Sequence, residues 1–439
     1  MNQFSLLAAQ RFGPLFCTQF LGALNDNIFR TALALFIGYN LAAQTDLNAN
    51  LLIVLASGIF ILPFFLFSAT AGQLADKYEK SMLIRRVKLL EIFIMAVGAA
   101  GFMLESIALL LSVLFLMGAQ SALFGPLKYG ILPQHLQINE LVGGNGMVQM
   151  GTYLAILLGI MTGGLLIAIP ERGPFIITLV VITVAVSGWL ISHAIPPAPS
   201  AQPTLRIAPN FIAQTWRLVV MIARDRITFI AILGVSWFWF LGATFLALIQ
   251  SPGYVQEVLG GAEQVATLLL ATFSIGIGVG SLLCERFSRG GIELLLVIVG
   301  IGGISLCAGD LYLASGQMPS AAGDGVFAAL EFLRLWPGQH VLLDLVGIGL
   351  FGGLYIVPLY ALIQQRADPA ERARTIAANN ILNALLMVLS ALVTMALLAI
   401  SVSIPQIFLL VALANLVFAV TVIMQLSPLR ARLAGLLPG

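Results

Sequence analysis

Long apolar segments, separated by short polar or charged breaks, run through the whole chain. A helix needs about 20 mostly apolar residues to cross a bilayer, and each segment is long enough for one crossing. The segments lack the alternation of membrane-barrel strands, and helices also satisfy their backbone hydrogen bonds within lipid. The pattern therefore predicts an all-α membrane protein with twelve transmembrane helices, near residues 12–40, 50–75, 84–104, 106–127, 138–168, 174–195, 227–251, 264–284, 292–314, 341–364, 375–400 and 404–427.

The predicted spans fall into two groups of six, separated by the segment Pro196–Pro209. Its sequence, PPAPSAQPTLRIAP, cannot continue a helix and favours an extended linker. Residues 210–226 then mix aromatic and aliphatic residues with arginines, a composition typical of a helix on the membrane surface. The predicted organisation is a six-helix bundle over 1–195, a cytoplasmic linker with this surface helix over 196–226, and a second six-helix bundle over 227–439.

The two halves share short sequence matches. Three pairs occur in the same order: 20–23 with 240–243, 75–80 with 284–289, and, more loosely, 143–149 with 377–383. Both members of each pair fall at the same position relative to the predicted spans, as a parallel duplication of six helices requires. The sequence therefore predicts two six-helix pseudo-repeats.

Composition supports a membrane location. Hydrophobic residues make up 60% of the chain and charged residues 9%, against roughly 25% charged residues in soluble domains. Lysine and arginine concentrate on one set of alternate loops, which indicates that these loops and both termini are cytoplasmic. These residues are Lys77, Lys80, Arg85, Arg86, Lys88, Lys128, Arg206, Arg217, Arg224, Arg226, Arg286, Arg289, Arg366, Arg372, Arg374, Arg430 and Arg432.

The first span carries two ionisable residues, Asp26 and Arg30, one helical turn apart and next to Asn25 and Asn27. An isolated charge at the bilayer centre costs several kcal/mol, so such residues usually face an internal cavity, pair with each other or mark a substrate path. The placement indicates transport. The alternative is that Asp26 and Arg30 only neutralise each other.

The topology, the charged loops after spans two and eight, and the central linker resemble the major facilitator superfamily. The spacing of Gly72 and Asp76 in GQLADK matches the start of that superfamily's loop motif. The resemblance implies that the loop charges lock helix ends in one state of a gate. We therefore expect Asp76, and its second-half counterpart Glu285, to act in gating; an ordinary solvated charged loop is the alternative.

A narrower resemblance comes from FLGALNDN at 20–27 and GPLKYGIL at 125–132. These segments are similar to the lysophospholipid transporter family and to the transporter module that some bacteria fuse to an acyltransferase. The resemblance implies a monomer that moves lysophospholipids, such as lysophosphatidylethanolamine, from the outer to the inner leaflet of a bacterial inner membrane. It also implies contact with membrane lipids and a functional link to a separate acyltransferase.

The candidate residues fit such a headgroup, which carries a phosphate anion and an ammonium. Asp26 would accept from the ammonium, while Arg30 and Lys128 would bind the phosphate. Lys128 could instead extend to the cytoplasmic headgroups from a helix end. Neutral residues that could orient the headgroup or glycerol are Asn25, Asn27, Asn145, Gln149 and Tyr129. An acyl-chain cavity is predicted at Phe238, Phe240, Phe245 and Phe273.

Other function classes find little support. The histidines lack the His-x4-Asp arrangement of the acyltransferase partner, and the sequence has neither a phosphate loop for ATP nor a recognisable cluster of metal ligands. We therefore expect no enzyme activity, no cofactor, no metal and no nucleic-acid partner. Glu91 and Asp310 are expected near interfaces or in pairs across helices. The alternatives are a proton-coupled exporter of amphipathic drugs, with Asp26 as the coupling acid, and a nontransporting lipid-binding protein.

Overall fold

The computed structural model describes residues 3–37, 49–288, 291–319 and 326–425. Within these ranges the chain is helical, and the one β-type contact is an isolated bridge between Gly261 and Phe327. The predicted ends of the first and last spans, at 38–40 and 426–427, lie outside the described residues, as do Arg289, Arg430 and Arg432.

Twelve long helices lie within the described residues, and they confirm the predicted twelve-helix architecture. They are α2 (Gly13–Phe36), α3 (Ala49–Lys77), α4 (Lys80–Met103), α5 (Ile107–His135), α6 (Leu141–Ile167), α7 (Gly173–Ser192), α9 (Arg226–Ile249), α10 (Glu263–Ser288), α11 (Leu295–Ser315), α13 (Trp336–Arg366), α14 (Arg372–Ala399) and α15 (Ile404–Gln425). Three shorter helices are α1 (Ser5–Ala8), α8 (Phe211–Ile222) and α12 (Ala329–Arg334).

Ten of the long helices are apolar enough over their described residues to cross a membrane by length and composition. The other two are α2 and α4, which carry more polar and charged residues. Helix α2 includes Asp26 and Arg30, whereas α4 includes Lys88 and Glu91. The two least apolar long helices are therefore the two that supply most of the site described below.

The first of two compact units contains the described residues of Met1–Gly144, Leu154–Arg224 and Ile363–Ala384. In it α3 packs on α5, and α4 packs on both α5 and α7. The Phe102 ring lies edge-on to Phe29 and Phe36, with ring centroids 5.3 and 5.4 Å apart, in a buried cluster. Gly163 of α6 lies so close to α2 that an added Cβ would stand 2.6 Å from the Ile28 carbonyl oxygen.

The second unit contains the described residues of Asn145–Tyr153, Asp225–Leu362 and Leu385–Gly439. Here α11 and α9 both pack on α15. Asn415 joins the three helices because its amide donates to the Ile301 carbonyl at 3.0 Å and accepts from the Trp237 indole at 2.9 Å. Such interhelical amide bonds act where hydrophobic attraction between helices is weak, because lipid tails are equally apolar.

Glycines bring α10 and α13 together in the second unit. A Cβ added at Gly276 would stand 2.5 Å from the Val346 carbonyl oxygen, and one at Gly353 would stand 2.6 Å from the Ile277 carbonyl oxygen. The glycines at 276, 280, 349 and 353, spaced four residues apart on each helix, therefore form a close backbone contact. Small residues favour such contacts in membranes because they let helix backbones approach.

The proline-rich linker is extended, and it is bound to the turn between α3 and α4. The Ala198 amide donates to the Glu79 carboxylate at 2.6 Å, and the Ala208 amide donates to the Gln73 side chain at 2.9 Å. Burial raises the pKa of Glu79, but hydrogen bonds from Ala198, Ser81 and Met82 outweigh it and hold the pKa below its usual value. The hydrogen bonds fix the path of the linker along this turn.

Helix α8 follows the linker and is amphipathic, as the pattern over 210–226 predicts. Asn210 caps it by accepting from the Ala213 amide at 3.0 Å. Leu218 and Ile222 are buried, whereas Ile212 and Trp216 are each 69% exposed. A position on the membrane surface stays a prediction for this helix.

We expect Gly353→Leu to destabilise the second unit, because the new side chain would collide with the backbone of α10. Overpacking of this kind typically costs 1–3 kcal/mol. The matched control is Gly302→Leu on α11, since a Cβ at Gly302 meets nothing within 4 Å. Thermal unfolding of the purified proteins in detergent measures the difference, and equal melting temperatures for the two variants would contradict the predicted contact.

Candidate functional site

The polar residues of α2 lie on a helix that is otherwise packed into an apolar core. Pro14 stands in the first turn, where its missing amide hydrogen costs nothing. Ile28 and Phe29 are buried in the core cluster. Asp26 and Arg30 follow each other at four-residue spacing, so their side chains leave the helix on one side. The core residues hold α2 in place and thereby fix where these charges stand.

A sealed polar network joins α2, α4 and α5. The Lys88 ammonium pairs with the Glu91 carboxylate at 2.6 Å, and the two residues are 1% and 2% exposed. Asn25 donates to the same carboxylate at 3.0 Å, and Gln120 donates to it at 3.1 Å. Glu91 therefore accepts three hydrogen bonds in the interior, which is the condition under which a buried charge is tolerated.

Gly22 makes room for this network. A Cβ added at Gly22 would stand 2.6 Å from the Lys88 ammonium nitrogen. The ammonium also lies 5.5 Å from the centre of the Phe124 ring, within the range of a cation–π contact. Gly242, which matches Gly22 in the second half, has nothing within 4 Å of its Cβ position. The FLGA repeat is thus kept in both halves, but only the first glycine accommodates a charge.

Asp26 lies beside the sealed network and is only half-buried. Its carboxylate accepts from the Ser121 hydroxyl of α5 at 3.1 Å. Its charge also interacts with those of Glu91, Lys88 and Arg30. Within the described residues no ion pair joins Asp26 to Arg30. Mutual neutralisation of the two charges stays an alternative, because they still interact.

Two cationic side chains, Arg30 and Lys128, remain accessible near Asp26. Arg30 is exposed, and its guanidinium lies 4.6 Å from the centre of the Phe60 ring on α3. Lys128 is half-buried, with its ammonium 4.6 Å from the centre of the Tyr129 ring. The charge of Lys128 interacts with Asp26. Neither cation forms an ion pair with a described residue, so both can bind an anion.

The predicted neutral ligands divide into several groups. Asn25 is fully buried and belongs to the Glu91 network, while Asn27 donates to the Ala23 carbonyl one turn earlier at 2.8 Å. Tyr129 is buried, and its carbonyl accepts from Gln364 at 3.2 Å. Asn145 and Gln149 are buried one turn apart on α6, in the second unit. Headgroup contact by these residues stays a prediction.

The four phenylalanines predicted to line an acyl-chain cavity are all buried in the second unit. Phe245 stacks on Phe408 with centroids 5.6 Å apart and lies 6.5 Å from Phe273. Phe238 contacts Tyr355, and Phe240 stacks on Trp237. Each ring already packs against another aromatic ring. A role in acyl-chain binding stays a prediction.

Asp76 joins the end of α3 to the start of α14. Its fully buried carboxylate accepts from the Ala373 amide at 3.0 Å and the Arg374 amide at 3.3 Å, and from the Arg374 guanidinium at 3.0 Å. Free amide groups and the helix dipole make the N-terminus of a helix favourable for an anion. The same guanidinium donates to the Gln202 side chain of the linker at 2.9 Å. The linker, α3 and α14 therefore meet at one carboxylate.

Glu285, the expected counterpart of Asp76, is half-buried near the end of α10. Its carbonyl accepts from the Ser288 hydroxyl at 3.2 Å. The gating roles of Asp76 and Glu285 stay predictions, although Asp76 has the hydrogen bonds that a lock between helix ends requires.

Sequence reasoning missed part of the network. Lys88 was counted among cytoplasmic loop residues, and that assignment is wrong because Lys88 lies inside α4 and is 1% exposed. The three-residue spacing of Lys88 and Glu91 inside a predicted span was an available signal. Gln120 and Ser121 gave no such signal, since neutral polar residues also occur as packing residues in spans.

We expect Glu91→Gln to destabilise the first unit strongly, because it leaves the Lys88 ammonium buried without its counter-ion. Breaking a buried ion pair typically costs 3–5 kcal/mol. Adding Lys88→Met to the same protein should recover part of the loss, since it removes the unpaired charge. Thermal unfolding of the single and double variants in detergent measures both effects. A double variant less stable than Glu91→Gln alone would argue against the sealed pair.

We expect Asp76→Asn to loosen the contact between α3 and α14. The asparagine side chain has one acceptor oxygen instead of two and no charge, so it cannot accept all three hydrogen bonds. The matched control is Glu371→Gln. Glu371 is the partially exposed second partner of Arg374 at 3.6 Å, and exposed pairs contribute only about 0–1 kcal/mol. Thiol accessibility of a cysteine placed at Ala370 reports the change. Equal labelling rates in both variants would count against a lock at Asp76.

Comparison with known protein families gives a consistent result. A family profile described as Major Facilitator Superfamily matches residues 15–336. The chain is 30% identical over 334 residues to the lysophospholipid transporter LplT of Salmonella arizonae, covering 72% of this chain and 71% of that protein. It is 29% identical over 414 residues to LplT of Klebsiella pneumoniae, with 89% of each chain covered. LplT of Serratia proteamaculans is 28% identical over 368 residues.

Solved structures share the same fold. The human organic anion transporter MFSD10 superposes with a TM-score of 0.69 at 15% identity, covering 93% of this chain and 99% of that one. The fucose:proton symporter of E. coli gives a TM-score of 0.66 at 15% identity, covering 94% and 98%. At these identities the likeness shows the fold alone.

Proposed function

Because this chain belongs to the major facilitator superfamily and, within it, to the family of the lysophospholipid transporter LplT, we propose that it carries lysophospholipids across a bacterial inner membrane. We propose further that movement runs from the outer to the inner leaflet by alternating access and that Asp26, Arg30 and Lys128 bind the headgroup. The observation that carries the site assignment is the contrast between the sealed pair Lys88–Glu91 and the accessible charges beside it.

The local charge favours a headgroup that contains phosphate. Three cations and two anions interact around Asp26, which leaves one positive charge in excess when all are ionised. Lys88 and Glu91 neutralise each other inside the protein. The remaining three are Asp26, Arg30 and Lys128, and none of these three forms an ion pair within the described residues. A phosphate is therefore the expected ligand of the two cations.

The two cations differ in how they bind an anion. The Arg30 guanidinium offers a planar fork that matches two phosphate oxygens, and the Phe60 ring supports one face of it. The Lys128 ammonium is a point charge on a flexible stem. Asp26 is the acceptor for an ammonium of the headgroup, held in place by Ser121. Together they provide a partner for each charge of a zwitterionic lysophospholipid.

Gating follows from the helix-end contacts rather than from the headgroup site. Carriers of this fold expose one site alternately to the two sides of the membrane. The Asp76 contacts with Ala373 and Arg374 stabilise one arrangement of α3 and α14. We propose that substrate movement requires these contacts to break and to form again in each cycle.

A second candidate, proton-coupled export of amphipathic drugs, is favoured by one observation. The carboxylates of Asp26 and Glu91 interact with each other inside the protein. Two close carboxylates resist simultaneous ionisation, which is the property that a coupling acid needs. Under this candidate Asp26 would gain and lose a proton in each cycle instead of binding an ammonium.

Transfer of labelled lysophosphatidylethanolamine between the leaflets of proteoliposomes tests the proposal. We expect Lys128→Ala and Asp26→Asn to slow transfer about ten- to a hundredfold, because a hydrogen bond to a charged group contributes about 1.5–3 kcal/mol. The matched control is Arg217→Ala, which removes an exposed cation of α8 outside the proposed headgroup site and the proposed gate. That control should transfer at the unsubstituted rate.

The same assay distinguishes the lysophospholipid carrier from the proton-coupled drug exporter. Label placed in one leaflet at a time, in vesicles of known protein orientation, gives the direction of movement. Transfer without an ion gradient supports the lysophospholipid carrier. Export of a lipophilic cation only under a proton gradient, abolished by Asp26→Asn, supports the second candidate. If folded, unsubstituted protein moves neither compound, both proposals fail.

A further inference from the structure

Three side chains of residue types that bind metals meet in the second unit. Asp310 lies near the end of α11, and His340 and Asp344 lie one turn apart near the start of α13. One ligand atom from each residue lies within 4.8 Å of the others. The His340 Nε2 and the Asp310 carboxylate are 3.0 Å apart. The sequence shows only the four-residue spacing of His340 and Asp344, because the third residue comes from another helix.

Asp344 supplies the observation that indicates a ligand. The residue is 6% exposed, and its Oδ2 is buried without a hydrogen-bond partner among the described residues. The Nδ1 atom of His340 is likewise buried without a partner. A buried polar atom without a partner destabilises the folded state, and a charged one does so more strongly. Such atoms in folded proteins are usually satisfied by water or an ion.

The donor set identifies the class of that ion. One imidazole nitrogen and two carboxylate oxygens suit a divalent first-row metal such as Zn²⁺, with water at the fourth position. Bond lengths of about 2.0–2.2 Å from a tetrahedral Zn²⁺ place ligand atoms about 3.5 Å apart. The three side chains are already within 4.8 Å of one another, so rotamer adjustments complete the site. We propose that Asp310, His340 and Asp344 bind one divalent transition-metal cation.

The surroundings fit such a site. The Asp310 side chain is 43% exposed and gives an ion access, whereas Asp344 closes the inner side. The Trp336 ring stacks on His340 with centroids 6.1 Å apart, which limits rotation of the imidazole. Gly347, one turn after Asp344, leaves room for Cys307 of α11 to pack close to α13. A bound cation would join α11 to α13 and offset the repulsion between the two carboxylates.

Zinc titration of the purified protein tests the proposal. The protein carries a purification tag without histidines, is stripped with a chelator in detergent, and is then titrated with Zn²⁺ while bound metal and melting temperature are recorded. We expect one Zn²⁺ per chain and a raised melting temperature. Asp344→Asn and His340→Gln should each weaken binding at least tenfold, because even residues that only support a metal ligand contribute ten- to a hundredfold.

Matched controls come from the same chain. His193→Gln changes an exposed histidine at the end of α7, and Asp368→Asn changes an exposed aspartate that caps a turn. Both should bind Zn²⁺ as the unsubstituted protein does. Replacing Zn²⁺ with Co²⁺ adds a direct readout, since tetrahedral Co²⁺ absorbs strongly in the visible range.

Failure of the metal proposal can be distinguished from failure of the transport proposal, because metal binding is measured without lipid substrate. Melting temperatures of the metal-free variants show whether each has folded, and Asp310→Asn is a third variant that leaves the buried part of the site intact. The proposal is overturned if the unsubstituted protein shows no saturable Zn²⁺ binding. It is also overturned if folded site variants bind Zn²⁺ as tightly as His193→Gln does.

Discussion

The cost of placing a charge among apolar helices is the constraint on which the rest of this structure depends. The ion pair of Lys88 with Glu91 offsets this cost, because the carboxylate accepts hydrogen bonds from the ammonium and from two side-chain amides. Both residues are shielded from solvent. Gly22 leaves space for this enclosure, because an added Cβ would stand 2.6 Å from the ammonium nitrogen. One residue without a side chain in the FLGA segment thus permits a charged centre inside a bundle of membrane helices.

The charges that are not enclosed are the ones proposed to bind the headgroup. Asp26, Arg30 and Lys128 stand beside the neutral pair but remain accessible, so they are available to a ligand of mixed charge. Aromatic rings support both cations without neutralising them, because the face of a ring attracts a cation but carries no net charge. The sealed pair holds the helices together, and the open charges beside it are those that we propose to bind substrate.

A second set of buried charges acts on helix ends instead of on ligands. Asp76 binds the first amides of α14, and its own backbone carbonyl accepts from Ala201 and Gln202 of the linker at 3.0 and 2.8 Å. The linker is therefore held against the same point that joins α3 to α14. Because Asp76 holds both α14 and the linker, a rearrangement that releases α14 acts on a residue that also holds the linker. The central segment of the chain is thereby coupled to the proposed gate.

The sequence by itself determined the architecture and the first polar residues of the site. Helix number follows from apolar length, because lipid leaves a helix almost no alternative, and twelve segments predicted twelve helices. Asp26 and Arg30 were recognisable for the same reason, since charge in an apolar segment is conspicuous. The match of Gly72 and Asp76 to a known loop motif also selected a residue that the structure places in a buried hydrogen-bond network.

Only the tertiary structure decided how these residues are used, because hydrogen bonds and ion pairs form between helices that are far apart in the chain. It shows that Asn25 donates to Glu91 and that Asp26 accepts from Ser121. It also shows that Lys88 is buried, whereas Lys128 is accessible. It also brought Asp310 of one helix to His340 and Asp344 of another. Hydropathy along a chain records where a residue stands in the membrane, whereas partner choice depends on which helix faces are packed together.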